Sequence, residues 1–422
     1  MPPVRPTTTS RPRRRRWPVL LVLVVVLALV SGLVGWRQWS TRPQGEPRAV
    51  ELGTATVSPT LGDATVLALG EATHGNAELQ LARLTLVQQL PRFRAIVFEE
   101  DYGSVALVNE WVQGGPGTAE EAARRFGFAL SHTAEMAELL QWIRDHNAGV
   151  PAAQRIQLIG MDVQRVDANQ QVALDWLAAH DRGEAEAVRA ALADWTDETS
   201  RGEHADELRV AAAPAVDRLL AAIEDVDPGA RGRQVALDAA TALRQHLELK
   251  GAAGPGYAAT RARIMAANVQ RTVQRQRERG NEHTLLFAHN GHVDKVSAAY
   301  RHRDLGELLA ERFGDDYRVI GTEVHDATIR TGDHRDRWEV ALHNPTPLRG
   351  MFAGTQVGYL EFADTSPANR ELLSQPVRMA SAGERFQQWQ AWLPWTSTVS
   401  MVPAESYDAL ILVDHATPVT PL

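Results

Sequence analysis

The chain has 422 residues and no cysteine. That one absence excludes disulfides, thiolate metal ligands and a cysteine nucleophile, and it is compatible with any redox compartment, an oxidising exterior included. Lysine is nearly absent too, since Lys250 and Lys295 are the only lysines among 44 basic side chains. No G-x-S-x-G elbow occurs, which disfavours the usual serine hydrolase on an α/β sheet. H-E-x-x-H and a glycine-rich phosphate loop are also missing.

Outside the N terminus acidic side chains outnumber basic ones. The net charge is −8, yet residues 1–16 hold six arginines and no acid, so the remainder is six units more negative than the whole. Such a body is not built to collect along nucleic acid, which requires clustered positive charge. With 44% hydrophobic and 23% charged residues, the composition is that of a globular protein with ample material for a core.

Long apolar runs are few, and one stands apart. Residues 17–36 are uncharged, follow the basic tail 1–16, and end on Trp17 and Trp36. At about 1.5 Å per residue this stretch reaches across roughly 30 Å of hydrocarbon. It is expected to be a single-pass membrane anchor, with the arginines cytoplasmic and everything beyond the linker 37–50 on the far side. A cleaved signal peptide is the competing reading.

Beyond residue 50 the pattern is α/β, with short β-rich runs separated by long helical stretches. The runs are 64–70, 95–100, 156–162, 284–290, 317–324 and 409–415. The spacing predicts a mostly parallel central sheet flanked by helices over 51–422. Residues 166–250, rich in Ala, Arg and acids at helical spacing, read as a helical insertion that packs on the sheet or forms a lid over a cleft. Residues 326–406 read as short β structure and loops.

Polar residues fall at the ends of the first four strands. The first delivers Glu71 and His74, and the second Glu99, Glu100 and Asp101. Asp162 and Gln164 follow the third; His289, Asn290 and His292 follow the fourth. Taken singly each has a bland reading, as a helix start or a solvated strand end. Parallel strands, however, align their carboxyl ends along one edge, where ligands bind. Four such ends in succession point to one crevice. Histidine suits proton transfer at neutral pH, so the crevice would activate water directly or hold a divalent metal.

The motifs GEATHGNAEL (70–79), VFEEDYG (97–103), LIGMDVQ (158–164), RARIMAANV (261–269) and AHNGHV (288–293), with the closing YDALILVDHATPVTPL (407–422), together resemble the erythromycin esterase family. The resemblance spans the chain from about residue 50. It implies a cofactor-free hydrolase of an ester or lactone, of a kind used in macrolide antibiotic resistance, with a small-molecule substrate. It also implies His74 as general base on water, supported by Glu71, Arg83, Glu99, Arg261, His289 and His292; Asp162, Gln164 and Asn290, from the same strand ends, are expected to contact the substrate. One departure is visible: where the family often has Arg-Asp, this chain has Arg261-Ala262, which removes a carboxylate and makes Arg263 the alternative arginine. Two other readings stay open: hydrolysis through Zn²⁺ or Mn²⁺ held by His74, His289, His292 and carboxylates, and a non-catalytic envelope protein that binds a carbohydrate or lipid-linked ligand.

Overall fold

The computed structural model describes residues 22–32, 45–332 and 336–422. Residues 45–422 form one compact unit, and residues 1–44 are a separate one. Of residues 1–44, the described residues 22–32 are helical. Among the described residues no helix is long and apolar enough to cross a membrane. That finding overturns the expected anchor at 17–36 and the single-pass cell-membrane localisation drawn from it. The tail 1–16, residues 17–21 and 33–36 of that stretch, and most of the linker lie outside the described residues.

The unit from residue 45 is built on a nine-stranded sheet. Its strands are β1 (Val50–Glu51), β2 (Val66–Glu71), β3 (Ala95–Asp101), β4 (Gln157–Asp162), β5 (Thr284–His289), β6 (Tyr317–Gly332), β7 (Arg337–His343), β8 (Val357–Glu361) and, last in the chain, Ala409–Ala416. The order is β1-β8-(409–416)-β6-β2-β5-β3-β4, with β7 on the outer half of β6. β2, β3, β4, β5, β6 and strand 409–416 are mutually parallel, while β1, β7 and β8 pair antiparallel.

Strands buried on both faces read as continuous apolar runs, and β2 and β5 are buried along their whole length. Alternation sends successive side chains to opposite faces. Leu67, Leu69, Ile96, Phe98, Leu285 and Phe287 therefore join one apolar core. Val66, Ala68, Val97, Leu286 and Ala288 join the other.

Helices follow the strands: α1 (Ala77–Gln89) after β2, α2 (Tyr102–Val112) after β3, and α3 (Asp167–Ala178) after β4. Within the insertion, α3 is joined by α4 (Arg182–Leu192), α5 (Ala205–Asp225) and α6 (Arg233–Gly251). These four bury Leu174, Val188, Val216, Leu219 and Leu243 against one another in a core of their own. The long α7 (Pro255–Glu278) then returns the chain to β5. After β5 a single turn, α8 (Asn290–Val293), packs against β2.

Between 326 and 406 the order is greater than the sequence pattern suggested. β6 does not stop at Val324 but continues to Gly332, alternating buried and half-buried positions, as a strand with one covered face should.

Candidate active site

The parallel register brings the polar strand ends together. Glu71 at the end of β2 pairs directly with His289 at the end of β5. Next to them, Glu99 Oε2 on β3 accepts the His289 backbone N–H at 2.9 Å. These ends open into a cavity of about 440 Å³ lined by Glu71, His74, Arg83, Glu99, Gln164, Arg261, His289 and His292, among others.

Two glycines of the G-E-x-x-H-G motif set the loop that carries His74. A side chain at Gly70 would collide with Asn290 and Val293 of α8, and one at Gly75 would run into the Arg330 carbonyl of β6. The Gly75 carbonyl accepts N–H groups from Arg330 and Val419, both at 3.1 Å. Asn76 Nδ2 donates to Thr328 O at 2.9 Å. The loop is thus fastened to β6 immediately after His74, through the Gly75 carbonyl and the Asn76 side chain.

His74 Nδ1 lies 2.5 Å from Glu71 Oε1, and Arg83 Nη2 donates to Glu71 Oε2 at 2.5 Å. Arg83 is buried although it sits on α1, because its guanidinium turns inward to that carboxylate. Burial alone would raise the Glu71 pKa, but the Arg83 charge and the His74 hydrogen bond hold it below the ordinary value. Burial would likewise lower the pKa of His74; its hydrogen bond to Glu71 and the charges of Glu71 and Glu99 outweigh burial and raise it. A carboxylate accepts only, so Nδ1 carries the proton and Nε2 keeps its lone pair. About a fifth of the His74 side chain remains exposed, which leaves that nitrogen within reach of a solute.

The second cluster centres on Arg261 of α7. Its Nε and Nη2 donate to Asp162 Oδ2 at 3.0 and 2.6 Å, and Nη2 also donates to Glu99 Oε1 at 2.8 Å. The carboxylate missing at position 262 therefore does not leave Arg261 loose; Ala262 is buried in the helix packing. Arg263 does not replace it, being exposed and paired with Glu248.

His292 Nε2 is 3.2 Å from Glu99 Oε1, and Nδ1 is 2.8 Å from Asp304 Oδ1. Burial would depress His292; the Glu99 charge and the bonds to Asp304 and Glu99 overcome it and push the pKa up to about 9. Glu99 is held well below the usual carboxylate range, burial being overridden by His292 and Arg261.

His289 differs from its neighbours. Its Nδ1 accepts the Gly291 N–H at 3.2 Å, so the ring proton sits on Nε2. That atom is buried and has no hydrogen-bond partner among the described residues. Burial, reinforced by the nearby His74 charge, pushes His289 down to about 3. It is a neutral imidazole with an unused donor, its ring 5.0 Å from that of His74.

Not every residue singled out by sequence enters the cavity. Asn290 is taken up by the Thr322 backbone, donating to its O at 2.7 Å and accepting from its N at 3.1 Å; it locks α8 to β6 rather than lining the cleft. Asp162 is fully buried behind Arg261. Gln164 does line the cavity, its Nε2 bonded to Asp162 at 2.7 Å. Glu100 accepts from Ser131 Oγ, Gly127 N and Phe128 N, and burial, partly offset by Ser131, pushes it up to about 8. It lines the cavity and holds the wall 127–131 in place.

No residue of 166–250 lines this cavity, so the insertion is not its lid. Those helices spend their apolar faces on each other, and they border instead a separate cleft of about 410 Å³ along the edge strand β4. The true walls come from Phe128, Leu130 and Ser131, from Tyr300, and from Ser381, Gly383 and Glu384. Sequence reasoning missed these, and it missed Asp304, which orients His292. Their one signal was H-x-D at 302–304, where both His302 and His292 reach Asp304.

A parallel α/β sheet with its ionisable groups gathered at the carboxyl edge belongs to the class of open α/β proteins that bind ligands at that edge. The erythromycin esterase family matches residues 91–416. An Escherichia coli protein described as erythromycin esterase type II is 31% identical over 108 residues, 25% of this chain and 25% of that protein. The chain thus spans about a quarter of that curated relative's length.

Among solved structures, a Bacillus cereus protein aligns with a TM-score of 0.72 at 18% identity, over 90% of this chain and 97% of that one. A succinoglycan biosynthesis protein aligns with a TM-score of 0.72 at 18% identity, over 89% and 96%. The open conformation of an erythromycin esterase mutant, EreC, gives 0.60 at 18%, over 85% and 93%. At that identity they establish the fold alone. The chain belongs to the erythromycin esterase family, a family of ester hydrolases.

Proposed function

We propose that the protein hydrolyses a carboxylic ester or lactone, with His74 as general base on water and no metal in the step. The observation that carries this reading is the Arg83–Glu71–His74 chain, which fixes Nδ1–H and presents a basic Nε2 to the cavity. Nε2 takes a proton as the water oxygen bonds to the carbonyl carbon. The carbonyl electron pair becomes an oxyanion, received by the unengaged His289 Nε2–H, with the positive charge of His292 and Arg261 acting through space. When the intermediate collapses, the carbon–oxygen bond to the alcohol breaks and His74 returns its proton to the leaving oxygen. Acid and alcohol are the products, and the enzyme is regenerated.

A positioned base contributes on the order of 10²–10⁴-fold, and a preorganised donor at the oxyanion about 3 kcal/mol. His289 suits the second role because it cannot be protonated near neutrality. It therefore offers a neutral Nε2–H at any pH near neutrality, and that donor has no protein bond to break.

The cleft donors are engaged by protein groups: Glu71 by Arg83, Glu99 by Arg261, and His292 by Asp304. This favours direct activation of water over a metal held by His74, His289 and His292. A macrolide lactone is the substrate class suggested by the E. coli relative's description. The test is turnover of a panel of activated esters and macrolide lactones before and after exhaustive chelation. Hydrolysis that survives chelation supports the reading; hydrolysis abolished by chelation and restored by Zn²⁺ or Mn²⁺ would overturn it.

A further inference from the structure

Outside the cleft, three adjacent strands place metal-binding side chains in one row. His415, on the last strand, is in register with Asp326 on β6, and Asp326 is in register with His343 on β7. In-register residues share a face, with Cβ atoms about 4.5–5.5 Å apart. His325 reaches the same row: one donor atom from each of His325, Asp326 and His343 lies within 4.8 Å of the others. None of the four lines the catalytic cavity.

The nitrogens are oriented as ligands. His325 Nδ1 lies 2.9 Å from the Asn344 carbonyl; a carbonyl only accepts, so the proton is on Nδ1 and the Nε2 lone pair faces Asp326 Oδ2 at 3.8 Å. His415 repeats the arrangement. Its Nε2 is 3.3 Å from Asp414 Oδ2, and its Nδ1 faces Asp326 Oδ2 at 3.6 Å. Asp414 is held in turn by Arg349 Nε and Nη2 at 2.6 and 3.0 Å. Metal-bound histidines commonly have the second ring nitrogen tied to a carbonyl or carboxylate in this way.

The His325 lone pair and the His415 Nδ1 thus converge on one carboxylate oxygen. For His325 that arrangement is repulsive until a cation lies between the lone pair and the carboxylate. His343 Nδ1, 2.5 Å from Asp326 Oδ1, supplies a third nitrogen once the shared proton is displaced. A Zn²⁺ tetrahedron with bonds of ~2.0–2.1 Å has edges of about 3.4 Å; the spacings of 3.8 and 3.6 Å from Asp326 Oδ2 to His325 and His415 are close to that, and the His325, Asp326 and His343 donor atoms, all within 4.8 Å of one another, have only to draw in around the ion. His343 and His415 are more than half exposed, so an ion has a path in from solvent.

We propose that His325, Asp326 and His343, with His415 in the fourth position, bind one divalent transition cation of the Zn²⁺ type, fastening strand 409–416 and β7 to β6. β6 is the strand whose outer half anchors the His74 loop through Arg330 and Thr328. The site is structural and distinct from the hydrolytic cleft.

The test is calorimetric titration of the chelator-stripped full chain with Zn²⁺, with thermal midpoints recorded alongside. Wild type binds one equivalent and melts at a higher temperature with Zn²⁺ than without. The His343→Ala/His415→Ala variant, altered only at exposed side chains, keeps its ester hydrolysis but loses both the binding and the shift. The His74→Ala/His292→Ala variant keeps the binding. A wild type that takes up no Zn²⁺ would overturn the proposal. So would binding that survives in the His343/His415 variant, or that disappears in the His74/His292 variant.

Discussion

At the scale of single residues, the cleft is a set of ionisable groups whose environments push them apart. His74 is raised by Glu71, His289 is driven down to about 3, and His292 is held up at about 9. A general base works when neutral, so activity should rise with pH through a His74 value above its ordinary ~6.5. In Glu71→Gln the hydrogen bond and charge that raise His74 are weakened, so its pKa falls. The acid limb of kcat/KM should then move to lower pH, while the rate at neutral pH drops on the order of 10²–10⁴-fold; an unmoved limb would dissociate Glu71 from His74. His292 predicts the opposite limb, because the imidazolium that faces the oxyanion is lost as pH passes about 9. Asp304→Asn removes a group that raises His292, so that limb should shift to lower pH. A pH profile identical to wild type would argue against a charged His292.

At the scale of elements, the loop that carries His74 depends on β6 as much as on its own strand. Gly75 has no room for a side chain against the Arg330 carbonyl, and the overpacking in Gly75→Ala should cost ~1–3 kcal/mol or more. It should also reduce turnover by moving His74. Chemical denaturation and steady-state kinetics on the same variant check both, and an unaltered kcat would show that the loop does not rely on this contact. The strand ends were legible in the sequence because parallel buried strands are apolar to their last residue, so Glu71, Glu99 and His289 stood out where the runs stopped. The far half of β6 was not legible. Its HDATIRTG alternates polar and apolar, a half-covered strand that resembles loop when neighbouring β7 is unknown. The lid also failed, since amphipathic periodicity in 166–250 reports that an apolar face is buried but not against what. Asp304 and the walls at 127–131 and 381–384 come from loops, whose placement depends on tertiary contacts that no local pattern encodes.

At the scale of the whole molecule, residues 45–422 are one compact unit with their own cores. A chain beginning at Gly45 should therefore unfold cooperatively at the same thermal midpoint as the full chain and hydrolyse the same esters; a lower midpoint would show that residues 1–44 contribute to the fold. The expected membrane anchor rested on the length of an uncharged run, its basic flank and its terminal tryptophans, and among the described residues no helix is long and apolar enough to cross a membrane. The sheet brings four strand ends and α7 to one edge, where the cavity of about 440 Å³ gathers His74 with Glu71, His289, His292 and Arg261, the groups on which the proposed mechanism rests. The most direct measurement of that account is kcat/KM of His74→Ala against wild type, on whichever ester or lactone the wild type turns over, in metal-free buffer. Loss of ~10²-fold or more in a variant with wild-type thermal stability is the predicted result. Turnover within a few-fold of wild type would contradict the central claim that His74 activates the water.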